Sequence, residues 1–195
     1  TKTKFQSFNR WYASKLCQDD EVCCMLDGDD WLVSDNKILQ KLNKLYVSNN
    51  LLMSYGQFYY YMGDDKPLNL YNSDTYSKND IKNNNYRHKW CTHHLRTIEA
   101  SLMKTIPEEY LKLEGDFISV CTDIAEMYWC LEKSNGRHMN VGFPTVIYNQ
   151  LASASYDNSY QNRKKNKEQS NYRNKVESYL RNYRQNNVSI LRHTY

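Results

Sequence analysis

Much that would fix a protein class at once is missing from this chain. No stretch is long or apolar enough to cross a membrane, and Thr1-Lys2-Thr3-Lys4-Phe5 carries no apolar segment of signal-peptide type. None of the 6 cysteines forms a C-x-x-C pair, which removes the usual zinc-site spacing. Charge of one sign is lacking too: 26 Lys and Arg stand against 22 Asp and Glu, a net +4 whose excess lies near the C-terminus, so charge alone does not argue for nucleic acid. Glycine and proline are scarce, 6 and 3 beside 18 tyrosines, a skew that reads as an AT-rich coding bias rather than a function. No internal repeat is visible, and the chain opens on Thr1 rather than Met, so it reads as processed or as a piece of a longer product.

What is present suits one α/β domain with a real core and a tail. Hydrophobic residues make up 40% and charged residues 25% of 195, both ordinary for a globular chain. Cys23-Cys24 and Cys121 sit in apolar stretches as small buried hydrophobes, which fits a reducing compartment and a cytoplasmic location. An extracellular disulfide framework is the alternative. Phe5, Phe8, Tyr12 and Leu16 recur at helical spacing, and Ile38, Leu39, Leu42, Leu45 and Tyr46 do the same after Ser34-Asp35. Val22 to Leu26 reads as a buried strand, and Leu51 to Met62 as one or two strands. Asp64 to Asn85 reads as a surface loop, Leu95 to Met103 and Asp123 to Glu132 as helices, and Val141 to Tyr148 as a strand interrupted by Pro144. Pro107 suits the start of a short helical turn. Residues 1–156 form the domain; 157–195 form a polar, basic tail, helical or partly disordered, with Tyr172, Val176 and Tyr179-Leu180 giving a weak amphipathic stripe.

The chemistry concentrates at Asp27-Gly28-Asp29-Asp30, where the first strand stops. In an open α/β sheet, ligands bind at the carboxyl ends of strands. Carboxylates crowded on one turn repel each other unless a cation or solvent separates them. Mg²⁺ and Mn²⁺ take few protein carboxylates and leave room for phosphate, which Asp27 and Asp29 around a small Gly28 could provide. The bland reading is a solvated acidic turn. An EF-hand is excluded by the spacing. His93 and His94 are adjacent and cannot share a helix face, so a two-His metal site is not expected from them.

Cys23-Cys24-Met25-Leu26-Asp27-Gly28-Asp29-Asp30-Trp31-Leu32 resembles the metal-binding segment of GT-A-fold glycosyltransferases of family 2. Trp90-Cys91-Thr92-His93-His94-Leu95-Arg96-Thr97, then Thr122-Asp123-Ile124-Ala125-Glu126-Met127-Tyr128, then Val146-Ile147-Tyr148-Asn149 resemble further segments of that family in the same order, over residues 5–160. The resemblance implies a partial GT-A, Rossmann-like mixed sheet flanked by helices, and a metal-dependent inverting transferase using a nucleotide-sugar donor and a carbohydrate or protein acceptor. It makes Asp29 the direct ligand of Mn²⁺ or Mg²⁺, with Asp27 on metal-bound water or ribose and Asp30 in support. Asp123 becomes the general base, and Trp90, His94 and Arg96 line the acceptor or diphosphate side. The family's first strand-helix-strand half and its Q-x-x-R-W motif have no counterpart here, so the resemblance implies an acceptor-side portion, completed by a separate donor-binding chain or a homo-oligomer. Two other readings stand beside it: a catalytically silent remnant that binds carbohydrate or completes a complex, and a phosphatase of the haloacid-dehalogenase type. Neither a nucleic-acid partner nor a transmembrane segment is expected.

Overall fold

The computed structural model describes residues 5–152 and 167–191, with side chains through 152 and from 170 to 183. The basic run at 163–165 lies outside the described residues. The protein is α/β: a mixed, strongly curled sheet flanked by helices. Helix α1 (Phe5–Leu16) leads into β1 (Val22–Met25), the acidic turn, β2 (Trp31–Leu32), α2 (Ile38–Asn49) and β3 (Met53–Tyr61). Then come β4 (Asn69–Tyr71), α3 (Lys78–Lys82), β5 (Arg96–Glu99), α4 (Ala100–Met103) and a 3₁₀ turn at Glu108–Leu111 behind Pro107. A small hairpin, β6 (Lys112–Leu113) with β7 (Asp116–Phe117), precedes α5 (Thr122–Lys133), β8 (His138–Asn149) and α6 (Lys167–Leu191).

The main sheet runs β1-β5-β3-β8-β2, with β4 beside the far end of β3. Its one parallel pair is β3 with β8; every other pairing is antiparallel. The β3/β8 register shifts between Tyr55 and Phe58, opposite Pro144. A proline cannot donate to a ladder, so it is tolerated where the pairing is irregular. Gly56 is needed there: a Cβ would stand 2.8 Å from Cγ2 of Val141.

Several expectations are corrected. Val22–Met25 is not a central strand covered on both faces but a half-exposed edge strand, antiparallel to β5. A four-residue apolar run has no periodicity with which to tell the two apart. Leu95 to Met103 is not one helix: Arg96–Glu99 pairs with both β1 and β3, and only Ala100–Met103 is helical. The β-branched Thr97 and Ile98 suit a strand, and two waiting neighbours override the helical spacing. Within the expected surface loop lie β4 and α3, whose Ser77 and Asp80 form a capping box.

Helix α1 is present, yet the apolar stripe is not its buried face. Phe5, Tyr12 and Leu16 are exposed, while Ser7 and Ser14 are buried and Trp11 Nε1 donates to the carbonyl of Ile106 at 2.9 Å. Small side chains let this helix approach closely, and Ser7 Oγ donates to the carbonyl of Ile118 at 2.7 Å.

The tail's stripe is real and docked. Val176 and Leu180 of α6 are fully buried in the main core, beside Tyr172, Tyr179 and Tyr183. Arg87 fixes the contact from below. Its guanidinium takes both oxygens of Glu132, at 2.6 and 2.8 Å, and reaches the carbonyl of Leu180. The segment from 170 to 183 is therefore part of the folded body rather than a solvated extension.

Candidate metal and anion site

The site is assembled by strand register. Met25 lies opposite Arg96 in the β1/β5 pair, so the turn that follows β1 sits beside the segment that enters β5. This brings Asp27 to Arg96, and His94, two residues earlier, to Asp30. The turn is closed by a hydrogen bond from the Asp30 amide to the Asp27 carbonyl, 3.1 Å. Asp30 is then pinned to the end of β8, its Oδ1 accepting from the amide of Asn149 at 3.0 Å. Across the opening, α5 begins at Thr122 after Cys121, whose φ of 53° turns the chain into the helix. That start presents Asp123. Helix α1 adds Arg10.

These elements enclose a cavity of about 540 Å³. Its wall includes Arg10, Asp27, Asp29, His94, Arg96 and Asp123, together with Tyr148 of β8 and Arg173 of α6. Ion pairs run through it. Arg10 contacts Asp27 Oδ1 at 2.7 Å and Glu126 Oε2 at 3.3 Å. Arg96 contacts Asp27 Oδ2 at 3.5 Å and Asp123 Oδ2 at 3.2 Å. Arg96 is thus a buried bridge between Asp27, which the resemblance places on metal-bound water or ribose, and Asp123, which it makes the base.

Among the described residues, one set of donor atoms converges as metal ligands do: Asp27, Asp30 and His94, all within 4.8 Å of one another. Asp30 Oδ2 and His94 Nδ1 face each other at 4.0 Å, both buried and both without a hydrogen-bond partner. Two ligands on one Mn²⁺ or Mg²⁺, each at about 2.1 Å, stand about 3–4.2 Å apart between cis and trans arrangements. The 4.0 Å gap lies within that span. The donor set, two carboxylates and a neutral imidazole, suits Mn²⁺ better than an all-oxygen ion.

Electrostatics agree with the geometry. Burial, then the neighbouring Asp27 and Asp29 charges, push the Asp30 carboxyl up to about 6, against a restraining Asn149 amide and Arg96. Burial and the Arg96 charge push His94 down to about 3, so its ring is neutral and available as a ligand at pH 7. The ring is held by stacking on Tyr148, centroids 5.3 Å apart, and by the edge of Phe58. Burial also pushes Glu126 up to about 7 despite Arg10 and Arg96.

Of the residues singled out from sequence, Asp27, Asp29, His94, Arg96 and Asp123 share the cavity, and Asp30 borders it. Asp29 lines the wall but does not join the converging donors; Asp30 and His94 do. Trp90 is not on the wall: its ring packs on His93 and Tyr128 in the core. Arg10, Glu126 and Arg173 carried no sequence signal beyond being single charges in helices. No family model matches the chain, and no curated protein matches it in sequence.

Proposed function

We propose that the chain is a metal-dependent inverting glycosyltransferase, or the acceptor-side portion of one, with a GT-A-like sheet. It would move a sugar from a nucleotide-sugar donor to an acceptor hydroxyl. The observation that carries this reading is the facing pair of buried, unpartnered donor atoms, Asp30 Oδ2 and His94 Nδ1, beside Asp27 in a cavity that Asp123 also lines. Bound Mn²⁺ or Mg²⁺ would supply Lewis-acid stabilisation of a departing diphosphate.

The chain's own residues divide the remaining work. Arg10 and Arg96 present guanidinium forks to the cavity, the geometry that phosphate oxygens prefer. Asp123 takes the proton of the acceptor hydroxyl. Its Oδ2 is oriented by Arg96 and its Oδ1 by the amide of Ile124 at 2.9 Å, which fixes the carboxylate at the positive end of α5. Tyr148 offers a ring face for a sugar or base.

The test is release of nucleoside diphosphate from a panel of nucleotide sugars with Mn²⁺. Turnover should vanish with chelator and in Asp30→Asn, and fall at least about a hundredfold in Asp123→Asn. Turnover that persists through chelation and both substitutions would remove the reading.

A further inference from the structure

We infer that α6 belongs to the ligand site and that Arg173 is an anion-binding residue, contacting the phosphate oxygens of the diphosphate that the cavity takes. This rests on the reading of the cavity as a metal-assisted diphosphate site. It assigns a role to a segment outside the resemblance, which ends at residue 160.

The placement follows from helical spacing. Arg173, Val176 and Leu180 are three and four residues apart, hence on one face of α6. Val176 and Leu180 are fully buried, so that face is turned to the body. The helix is pinned along the same stretch: Tyr179 Oη donates to the carbonyl of Tyr110 at 3.2 Å, and Arg181 donates to Tyr128 Oη at 3.0 Å. One turn earlier, the same face delivers Arg173 to the cavity wall. Lys175, by contrast, points to the surface and pairs with Glu114 at 2.5 Å.

The charge of the wall gives the ligand class. Three arginines, Arg10, Arg96 and Arg173, meet three aspartates, Asp27, Asp29 and Asp123. Asp30 and Glu126 stand behind them, reaching His94 and Arg10 respectively. A divalent cation adds two positive charges and draws Asp27 into coordination, which weakens its hold on Arg10 and Arg96. Arg10 then keeps Glu126 and Arg96 keeps Asp123, and each gives up one carboxylate contact that a phosphate oxygen can replace. Ser119 to Asp123, leading into α5, line the same space and add the positive end of a twelve-residue helix. Guanidiniums brought to one wall by three separate elements suit the several oxygens of a pyrophosphate group better than a neutral sugar.

The experiment is calorimetric titration with sodium pyrophosphate in MgCl₂, and separately with MnCl₂ alone, on the full chain. Arg173→Ala should weaken pyrophosphate about tenfold or more, the scale of one charge-assisted contact. Arg173→Lys should recover part of that, and Lys175→Ala, which removes the same charge from the same helix, should bind as the unsubstituted chain does. Affinity for Mn²⁺ alone and the melting temperature should be equal in all four proteins. The inference is overturned if Arg173→Ala binds pyrophosphate normally, if Lys175→Ala weakens it equally, or if the unsubstituted chain binds none. Should nucleotide-sugar turnover depend on Asp30 and Asp123 but not on Arg173, the α6 assignment falls and the transferase reading stands. Should pyrophosphate binding depend on Arg173 while no nucleotide sugar is turned over, the α6 assignment stands and the transferase reading falls.

Discussion

Replacing Asp30 by Asn should make the metal-free protein more stable while removing one donor of the proposed metal site. Asp30 is buried, its Oδ2 has no partner, and two further aspartates stand on the same turn. Its carboxyl is raised from 3.8 to about 6, which bounds the stability lost to ionisation at about 3 kcal/mol near neutral pH. The Asn amide keeps an oxygen for the Asn149 N–H and turns a donor toward the neutral His94 Nδ1. A gain of about 1–3 kcal/mol follows, or several degrees in melting temperature for a chain of this size. The pH dependence has a definite sign. Because the folded carboxyl is raised, the unfolded chain loses its proton first, and the native aspartate is penalised progressively from pH 3.8 to about 6, fully above it. The advantage of Asp30→Asn should therefore be complete at pH 7.5 and vanish near pH 4. Thermal melts in chelator at the two pH values measure it. In parallel, Mn²⁺ affinity should fall by more than the roughly 10–100-fold that losing a mere supporting partner costs. An Asn variant that melts lower at pH 7.5, or binds Mn²⁺ unchanged, refutes the account of the site.

Three other outcomes are expected. His138 is half-buried among Tyr55, Tyr76 and Tyr86, and desolvation pushes it down to about 4. A depressed imidazole contributes stability that is present above pH 6.5 and lost as pH falls toward 4, so His138→Gln should flatten the acid limb of a denaturant-midpoint profile. Leu180→Ala should cost about 2–5 kcal/mol by chemical denaturation, since the side chain is fully buried; a loss under 1 kcal/mol would mean that α6 is not docked in solution. Gly56→Ala should cost about 1–3 kcal/mol, because the new methyl meets Val141 Cγ2 at 2.8 Å.

The local half of this structure was legible in the chain. The acidic turn does end a strand, α2 and α5 start and stop near where their periodicity places them, and the sheet is mixed with helices about it. What could not be read is what strand register and distant helices decide. Arg10 and Glu126 are 116 residues apart and meet only because α1 packs on α5. His94 reaches Asp30 because Arg96 pairs opposite Met25, a fact of alignment between two short strands that no single stretch encodes. In the candidate group His94 stands as a single histidine beside two carboxylates. One histidine suffices when both carboxylates come from the neighbouring turn, and His93 goes to Phe58 and Tyr71 instead. Arg173 was visible only as one charge in a basic tail. Its meaning lies in its being three residues before a valine that turns out to be buried.

The distribution of unsatisfied atoms separates a ligand site from a structural ion network. Among the described residues, the buried side-chain atoms without partners are Asp30 Oδ2, Thr92 Oγ1, His94 Nδ1, Arg96 Nε and Glu126 Oε1. Each such atom costs about 1–3 kcal/mol, and a fold held together by salt bridges would be expected to satisfy them or replace them with apolar groups. Here the orphans are not scattered. Asp30 and His94 face each other, Arg96 and Glu126 are joined through Asp27 and Arg10, and Thr92 is two residues from His94. Four of the five thus sit on residues joined by the ion pairs of the candidate site, a placement that agrees with the function proposed for it. The distinction is measurable with Glu126→Gln, which removes a carboxylate raised to about 7 and leaves its shape. If the network serves stability, the variant should melt lower at every pH. If it serves the ligand, the variant should melt at or above the unsubstituted chain at pH 8, lose that advantage near pH 4.5, and bind Mn²⁺ and pyrophosphate more weakly as Arg10 loses its anchor.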